Sequence, residues 1–106
     1  MRRQMLWLGL TVLLFGTPLM AQDHLVLTER GKKFFFDQGC FGCHTVGKMG
    51  TPIGPDLSDV GLRYPPSYLT EWLRDPLSQK PKAHMPKIEL SEDEIRALVA
   101  YLSSLR

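Results

Sequence analysis

Two cysteines two residues apart, with a histidine directly after the second, constrain this chain more than any other feature: Cys40-Phe41-Gly42-Cys43-His44. They are the only 2 cysteines in 106 residues. A disulfide between them would close a tiny loop and restrain little of the unfolded chain. A chain this short has a marginal hydrophobic core, and small exported domains usually carry a staple. The stabiliser is therefore something other than a cystine, and the same five residues are where it would attach.

Residues 1–21 read as a secretory leader that is cleaved. Arg2 and Arg3 stand in front, the apolar run Leu6–Phe15 follows, and Pro18 and the small Ala21 precede Gln22-Asp23. The clean apolar run is 10 residues, short of the roughly 18 that a spanning helix needs. Leu19, at −3, is the poorest part of the cleavage site, and it keeps retention as an anchor as the alternative. Cleavage would leave residues 22–106, which are 85 residues with 11 basic and 11 acidic side chains. The formal charge of +2 belongs to the leader. No basic block marks a nucleic-acid partner, and no membrane span is expected after cleavage. The expected location is the periplasm.

The remaining chain reads as one all-α domain with long loops. Residues 28–38 have a helical pattern, with Thr28 as a candidate N-cap and Gly39 as the stop. Residues 39–66 are irregular and rich in glycine and proline. A short helix is expected over 66–75, with Tyr68, Leu69, Trp72 and Leu73 on one face and Pro76 ending it. Residues 77–89 read as a second loop. The last helix is the best marked: Ser91 and Glu94 have capping-box spacing, with Leu90 and Ile95 placed as a hydrophobic staple. Glu92, Asp93 and Glu94 complement the positive end of its dipole. Ile95, Leu98, Val99 and Leu102 form its apolar face.

C-x-x-C-H is the attachment pattern of haem c. Two thiols add to the two vinyl groups on the porphyrin, and the next residue brings an imidazole to the iron. A thioredoxin-like redox pair would need a βαβ context, which is missing here. Structural zinc would need four ligands, and Cys40, Cys43, His44 and a remote His84 are poorly spaced for it. Export agrees with haem c, since this cofactor is attached outside the cytoplasm.

One axial position of the iron would remain after His44. Met49 and Met85 are the thioether candidates beyond the leader, with His24 and His84 as nitrogen alternatives. Met49 lies 5 residues from His44, a reach of at most roughly 17 Å, too short to round the porphyrin and return. Met85 is 41 residues downstream and has ample reach. It sits among Lys80, Lys82, His84 and Lys87, outside any apolar helical face where a methionine would serve as core filler. His84 stays open as the competitor; it would give bis-histidine ligation and a lower potential.

Over nearly its whole length after the leader, the chain resembles a short bacterial class I cytochrome c. Four features carry the likeness: Gly31-Lys32-Lys33-Phe34-Phe35 ahead of the C-x-x-C-H motif, Gly54-Pro55-Asp56-Leu57, Met85-Pro86, and Leu98-Val99-Ala100-Tyr101-Leu102. The resemblance implies a small cytochrome c fold, with the first and last helices crossing and loops wrapped round one covalent haem c. It implies Cys40 and Cys43 as thioether links, His44 and Met85 as axial iron ligands, and the Pro55 carbonyl as acceptor for the outer ring N–H of His44. Gly31 would mark the close helix crossing, with Phe35 packed against Leu98 and Tyr101. Trp72 and Tyr64 could each bond a haem propionate or simply fill the core.

The function implied is one-electron transport in the periplasm, with no catalytic residues. The protein would carry electrons between redox proteins, such as a periplasmic dehydrogenase or reductase or a terminal oxidase. The alternative is a tightly bound cytochrome subunit of an oxidoreductase complex; a third reading is a haem-based ligand sensor in which Met85 binds weakly.

Overall fold

The last helix organises the structure, as its sequence signals predict. In this computed structural model, which describes residue 9 and residues 19–106, α5 runs Glu92–Ser104. The Ser91 hydroxyl accepts the Glu94 backbone N–H at 3.1 Å, and the Glu94 carboxylate accepts the Ser91 N–H at 3.3 Å. Two otherwise orphaned donors are satisfied at once, a cap that contributes about 1 kcal/mol. Ile95, Leu98, Val99 and Leu102 are all buried, together with Tyr101. Leu90 packs against the same core, as a staple partner of Ile95 should.

α1 (Leu19–Asp37) crosses α5 at Gly31. A Cβ there would lie 2.6 Å from the Ala97 carbonyl carbon and 2.8 Å from Tyr101 Cβ, so only glycine permits this approach. One turn on, Phe35 is fully buried beside Leu98, and its ring lies 5.4 Å from that of Tyr101. Burying such a side chain contributes about 1.5–3 kcal/mol.

The helix starts nine residues before the expected cap at Thr28. The Thr28 hydroxyl instead donates back to the His24 carbonyl at 2.9 Å. The physical reason is that threonine can satisfy itself within a helix by bonding the i−4 carbonyl. No glycine or proline separates Leu19 from Arg30 to stop the helix propagating backwards. The proposed leader falls almost wholly outside the described residues; α1 includes its last three and runs through the Ala21–Gln22 junction.

A 3-10 turn (Cys40–Gly42) follows, then a two-residue ladder, β1 (Thr45–Val46) against β2 (Met49–Gly50). This hairpin is too short to show as an alternating pattern. Helices α2 (Val60–Arg63) and α3 (Pro66–Arg74) come next. The second loop begins later than expected, because Pro76–Gln79 form a one-turn helix, α4. The Asp75 carboxylate accepts the Leu77 N–H at 3.2 Å, and Pro76 occupies the first turn, where its missing N–H costs nothing. Among the described residues the fold is all-α apart from that hairpin. Among the described residues no helix is long and apolar enough to cross a membrane.

Candidate functional site

Gly39 ends α1 with φ of +76°, a left-handed conformation that turns the chain sharply into the cysteine motif. The Cys40 carbonyl then accepts two backbone N–H groups, from Cys43 at 3.2 Å and His44 at 2.9 Å. Winding five residues this tightly brings both thiols and the imidazole onto the wall of one cavity of about 450 Å³. Neither cysteine is in a disulfide. Burial raises the Cys40 thiol above its ordinary pKa, partly offset by a backbone hydrogen bond at Cys40 itself.

The imidazole is fixed from behind. His44 Nδ1 lies 2.7 Å from the Pro55 carbonyl oxygen. A carbonyl can only accept, so Nδ1 carries the proton and Nε2 keeps its lone pair for a metal. Gly54 lets this loop come close: a Cβ there would stand 3.0 Å from His44 Cε1 and 3.2 Å from Nδ1. The Pro55 carbonyl is held in turn by a brace that sequence reasoning missed. The Asp56 carboxylate accepts the Ser58 N–H at 2.8 Å and the Ser58 hydroxyl at 2.6 Å. Ser58 Oγ also accepts the Gly47 N–H at 2.7 Å, and Arg63 donates to the Asp56 carbonyl at 2.6 Å. The hydroxyl and N–H of Ser58 hold the Asp56 carboxyl below its ordinary pKa, helped by Thr45 and Arg63. The signal was present as an Asp-x-Ser turn pattern.

Met85 enters the same cavity from the loop after α4, half-buried against the core. The indole N–H of Trp72 donates to its sulfur at 3.1 Å. Trp72 thus faces Met85, a partner that the sequence did not suggest. Tyr64 lines the cavity too but is 40% exposed, and it stacks on Tyr68 with ring centroids 4.5 Å apart. His84 also borders the cavity, beside Met85. Met49 is 60% exposed on β2 and His24 is exposed on α1; neither reaches the cavity. Among the described residues no three His, Cys, Asp or Glu side chains gather as a metal cluster, so the zinc set is not assembled.

The donor set fits a haem c. Two free thiols and an imidazole with a free Nε2 share one cavity with a thioether, and the walls between them are apolar, built from Leu69, Leu73, Leu98 and Leu102. Those are the needs of a large flat macrocycle attached covalently and ligated by nitrogen and sulfur.

Comparison with known proteins points the same way. The family model described as Cytochrome c matches residues 28–106. Cytochrome c oxidase subunit 2 of Alkalihalophilus pseudofirmus is 37% identical over 89 residues, covering 76% of this chain. A subunit of the nitric oxide reductase of Stutzerimonas stutzeri is 28% identical over 108 residues, covering 92% of this chain and 73% of that protein. The same reductase subunit from Halomonas halodenitrificans is 28% identical over 92 residues, covering 76% of this chain and 61% of that protein. This chain spans 26% of the length of the oxidase subunit.

Proposed function

This chain belongs to the cytochrome c family and transfers electrons through covalent haem c, and from that premise we propose that it is an exported, periplasmic one-electron carrier with an iron held by His44 and Met85. Bound haem supplies reversible one-electron exchange between Fe(III) and Fe(II). The protein does the rest. Cys40 and Cys43 anchor the macrocycle as thioethers. His44 presents Nε2 to the iron, because the Pro55 carbonyl fixes the tautomer and the ring plane. Met85 would supply a thioether ligand, which would favour Fe(II) and raise the potential. With His44 and Met85 both holding the iron, it would have no open position for a substrate.

The observation that carries this reading is the 2.7 Å contact between His44 Nδ1 and the Pro55 carbonyl, in a cavity that also contains both thiols and the Met85 side chain. The test is acid–organic extraction of the denatured protein, followed by mass measurement. The polypeptide should keep its haem, run heavier by one haem, and begin at Gln22. Extractable haem would remove the thioether assignment, and a chain that begins at Met1 would remove the cleaved leader.

A second reading is a fixed cytochrome subunit of an oxidoreductase complex. It is favoured by the relatives, which are named as subunits of an oxidase and of nitric oxide reductases. Purification from the native periplasm separates the two: a free carrier elutes alone, and a subunit elutes with a larger redox protein.

A further inference from the structure

Helix α1 has an outer face as well as the one that crosses α5. Its inner side is set by the buried Gly31 and Phe35, with Leu27, Thr28 and Phe34 half-buried beside them. The opposite side carries Gln22, Val26, Glu29, Lys33 and Phe36, all exposed. These recur at spacings of four, three, four and three, the seven-residue rhythm of a seam between paired helices. Val26 is 61% exposed and Phe36 68%, and Leu25 at the margin is 65% exposed. Apolar side chains lined up on the solvent side of one helix mark a contact surface. Leu25, Val26, Glu29, Arg30 and Lys33 line a shallow hollow on it. Among the described residues neither Glu29 nor Lys33 makes an ion pair.

We propose that this face pairs antiparallel with the same face of a second copy, on a two-fold axis level with position 31. Read along the helix, Val26, Glu29, Lys33 and Phe36 run apolar, negative, positive, apolar. Val26 and Phe36 share one midpoint with Glu29 and Lys33. Reversed on itself, the seam therefore sets Val26 against Phe36 of the second copy and Glu29 against its Lys33, each pair occurring twice. A parallel arrangement would set Glu29 against Glu29 and Lys33 against Lys33, so the charges select the antiparallel one. Such self-complementarity is what a two-fold interface requires, and a different protein would not require it. Phe36 of the second copy fits the hollow beside Val26. The overlap from Leu25 to Asp37 is about 20 Å of helix. A contact that short is small for a specific interface, so the dimer dissociates on dilution. Phe35, which lines the haem cavity, lies across α1 from the seam, so both cavities stay open to redox partners.

Sedimentation of the haem-loaded protein tests it, over a concentration series that reaches the millimolar range. Wild type should pass from monomer to dimer as concentration rises; a monomer throughout overturns the proposal. Glu29→Lys or Lys33→Glu alone sets like charges opposite each other twice, and either should weaken the association about tenfold or more. Together the two substitutions restore opposite charges with their signs exchanged, and the dimer should return. Association that ignores the single substitutions, or stays lost in the double variant, overturns the proposal. The register has its own measurement, made on wild type alone. Unlabelled and isotope-labelled holoprotein are mixed and treated with a carbodiimide, which joins a carboxylate to an adjacent amine. The cross-linked peptide between Glu29 and Lys33 should include a form with one label of each kind. Peptides of a single kind only would mean coupling within one helix, and they too overturn the pairing.

Discussion

The cavity has two sides, and they are built to opposite standards. On the His44 side, the segment 40–58 is laced by backbone and side-chain bonds. Thr51 donates to the His44 carbonyl, Leu57 to the Thr45 carbonyl, and the Asp56–Ser58 brace ties Gly47 to the loop that carries Pro55. On the Met85 side, the segment 81–90 has one backbone bond and the Trp72 contact. The difference teaches how the site divides its work. The imidazole is set in place by the polypeptide alone, whereas the sulfur is held by one indole and, on the proposed ligation, by the iron. Substitutions on the two sides should therefore fail in different ways.

The largest effect should separate His44→Ala from Met85→Ala. Removing the imidazole takes away the ligand around which the tight turn is built, and a stable holoprotein should not accumulate. Removing the sulfur should leave a folded holoprotein with covalent haem, a lower potential and no sulfur-to-iron band. Optical spectra of the oxidised proteins distinguish these outcomes. If His84→Ala removes the band and Met85→Ala does not, the ligand has been assigned to the wrong neighbour. Met49→Ala should leave the spectrum alone, since that side chain lies outside the cavity.

Gly54→Ala should come next. The added methyl would press on the His44 ring from 3.0 Å, where the neighbours are ring and backbone atoms that cannot swing aside. Overpacking of this kind costs about 1–3 kcal/mol. Denaturant melts of the holoprotein would show it as a lowered midpoint with an unchanged slope. Pro86→Ala, on the loosely held side, should move the midpoint much less.

On the His44 side, acid should act through Asp56. The carboxyl of Asp56 is held below its ordinary pKa by the hydroxyl and N–H of Ser58. A group whose folded pKa is depressed contributes stability above its unfolded value, and that contribution is lost as pH falls through the folded value. Asp56→Ala should therefore be less stable than wild type at neutral pH, and the gap should close below about pH 4, where the unfolded carboxyl is already titrating. Paired melts at pH 7 and in acid check this. A gap that persists unchanged in acid would mean that the brace does not depend on the carboxylate charge.

The same contrast explains how much could be read in advance. The helix α5 and the attachment motif were legible because each is encoded locally, by a cap or a fixed spacing, whereas the Pro55 acceptor was implied only by the family resemblance. Gly31 was legible because a glycine inside a helix needs a reason, and the crossing with Ala97 and Tyr101 supplies it. What escaped depends on contacts distant in sequence. Trp72 meets Met85 across 13 positions, and no pattern within α3 announces which acceptor its N–H will find. Thr28 escaped for another reason: one hydroxyl can cap a helix or bond back within it, and sequence alone leaves both open.

The smallest effect expected, in free energy, concerns charge. The Met85 side carries Lys80, Lys82 and Lys87 with no acidic residue between Gln79 and Ile88, whereas the His44 side carries Asp56 and Asp59. Lys80 and Lys82 border the cavity itself, and all three lysines are exposed. A local cluster of one sign steers an oppositely charged partner and raises its encounter rate, and dissolved salt screens that attraction. Ion pairs at an exposed rim add little to affinity, so the effect belongs in the association rate. Stopped-flow electron transfer with the native redox partner, followed as ionic strength rises, reads it directly. The wild-type rate should fall with salt. A Lys80→Glu, Lys82→Glu, Lys87→Glu variant should start about tenfold slower at low salt and respond less to it. A parallel variant with Asp56 and Asp59 changed to asparagine should leave the salt dependence almost as it is, because those charges lie on the other side. A wild-type rate indifferent to salt, or a lysine variant that matches it, would place the contact on an apolar surface away from this rim.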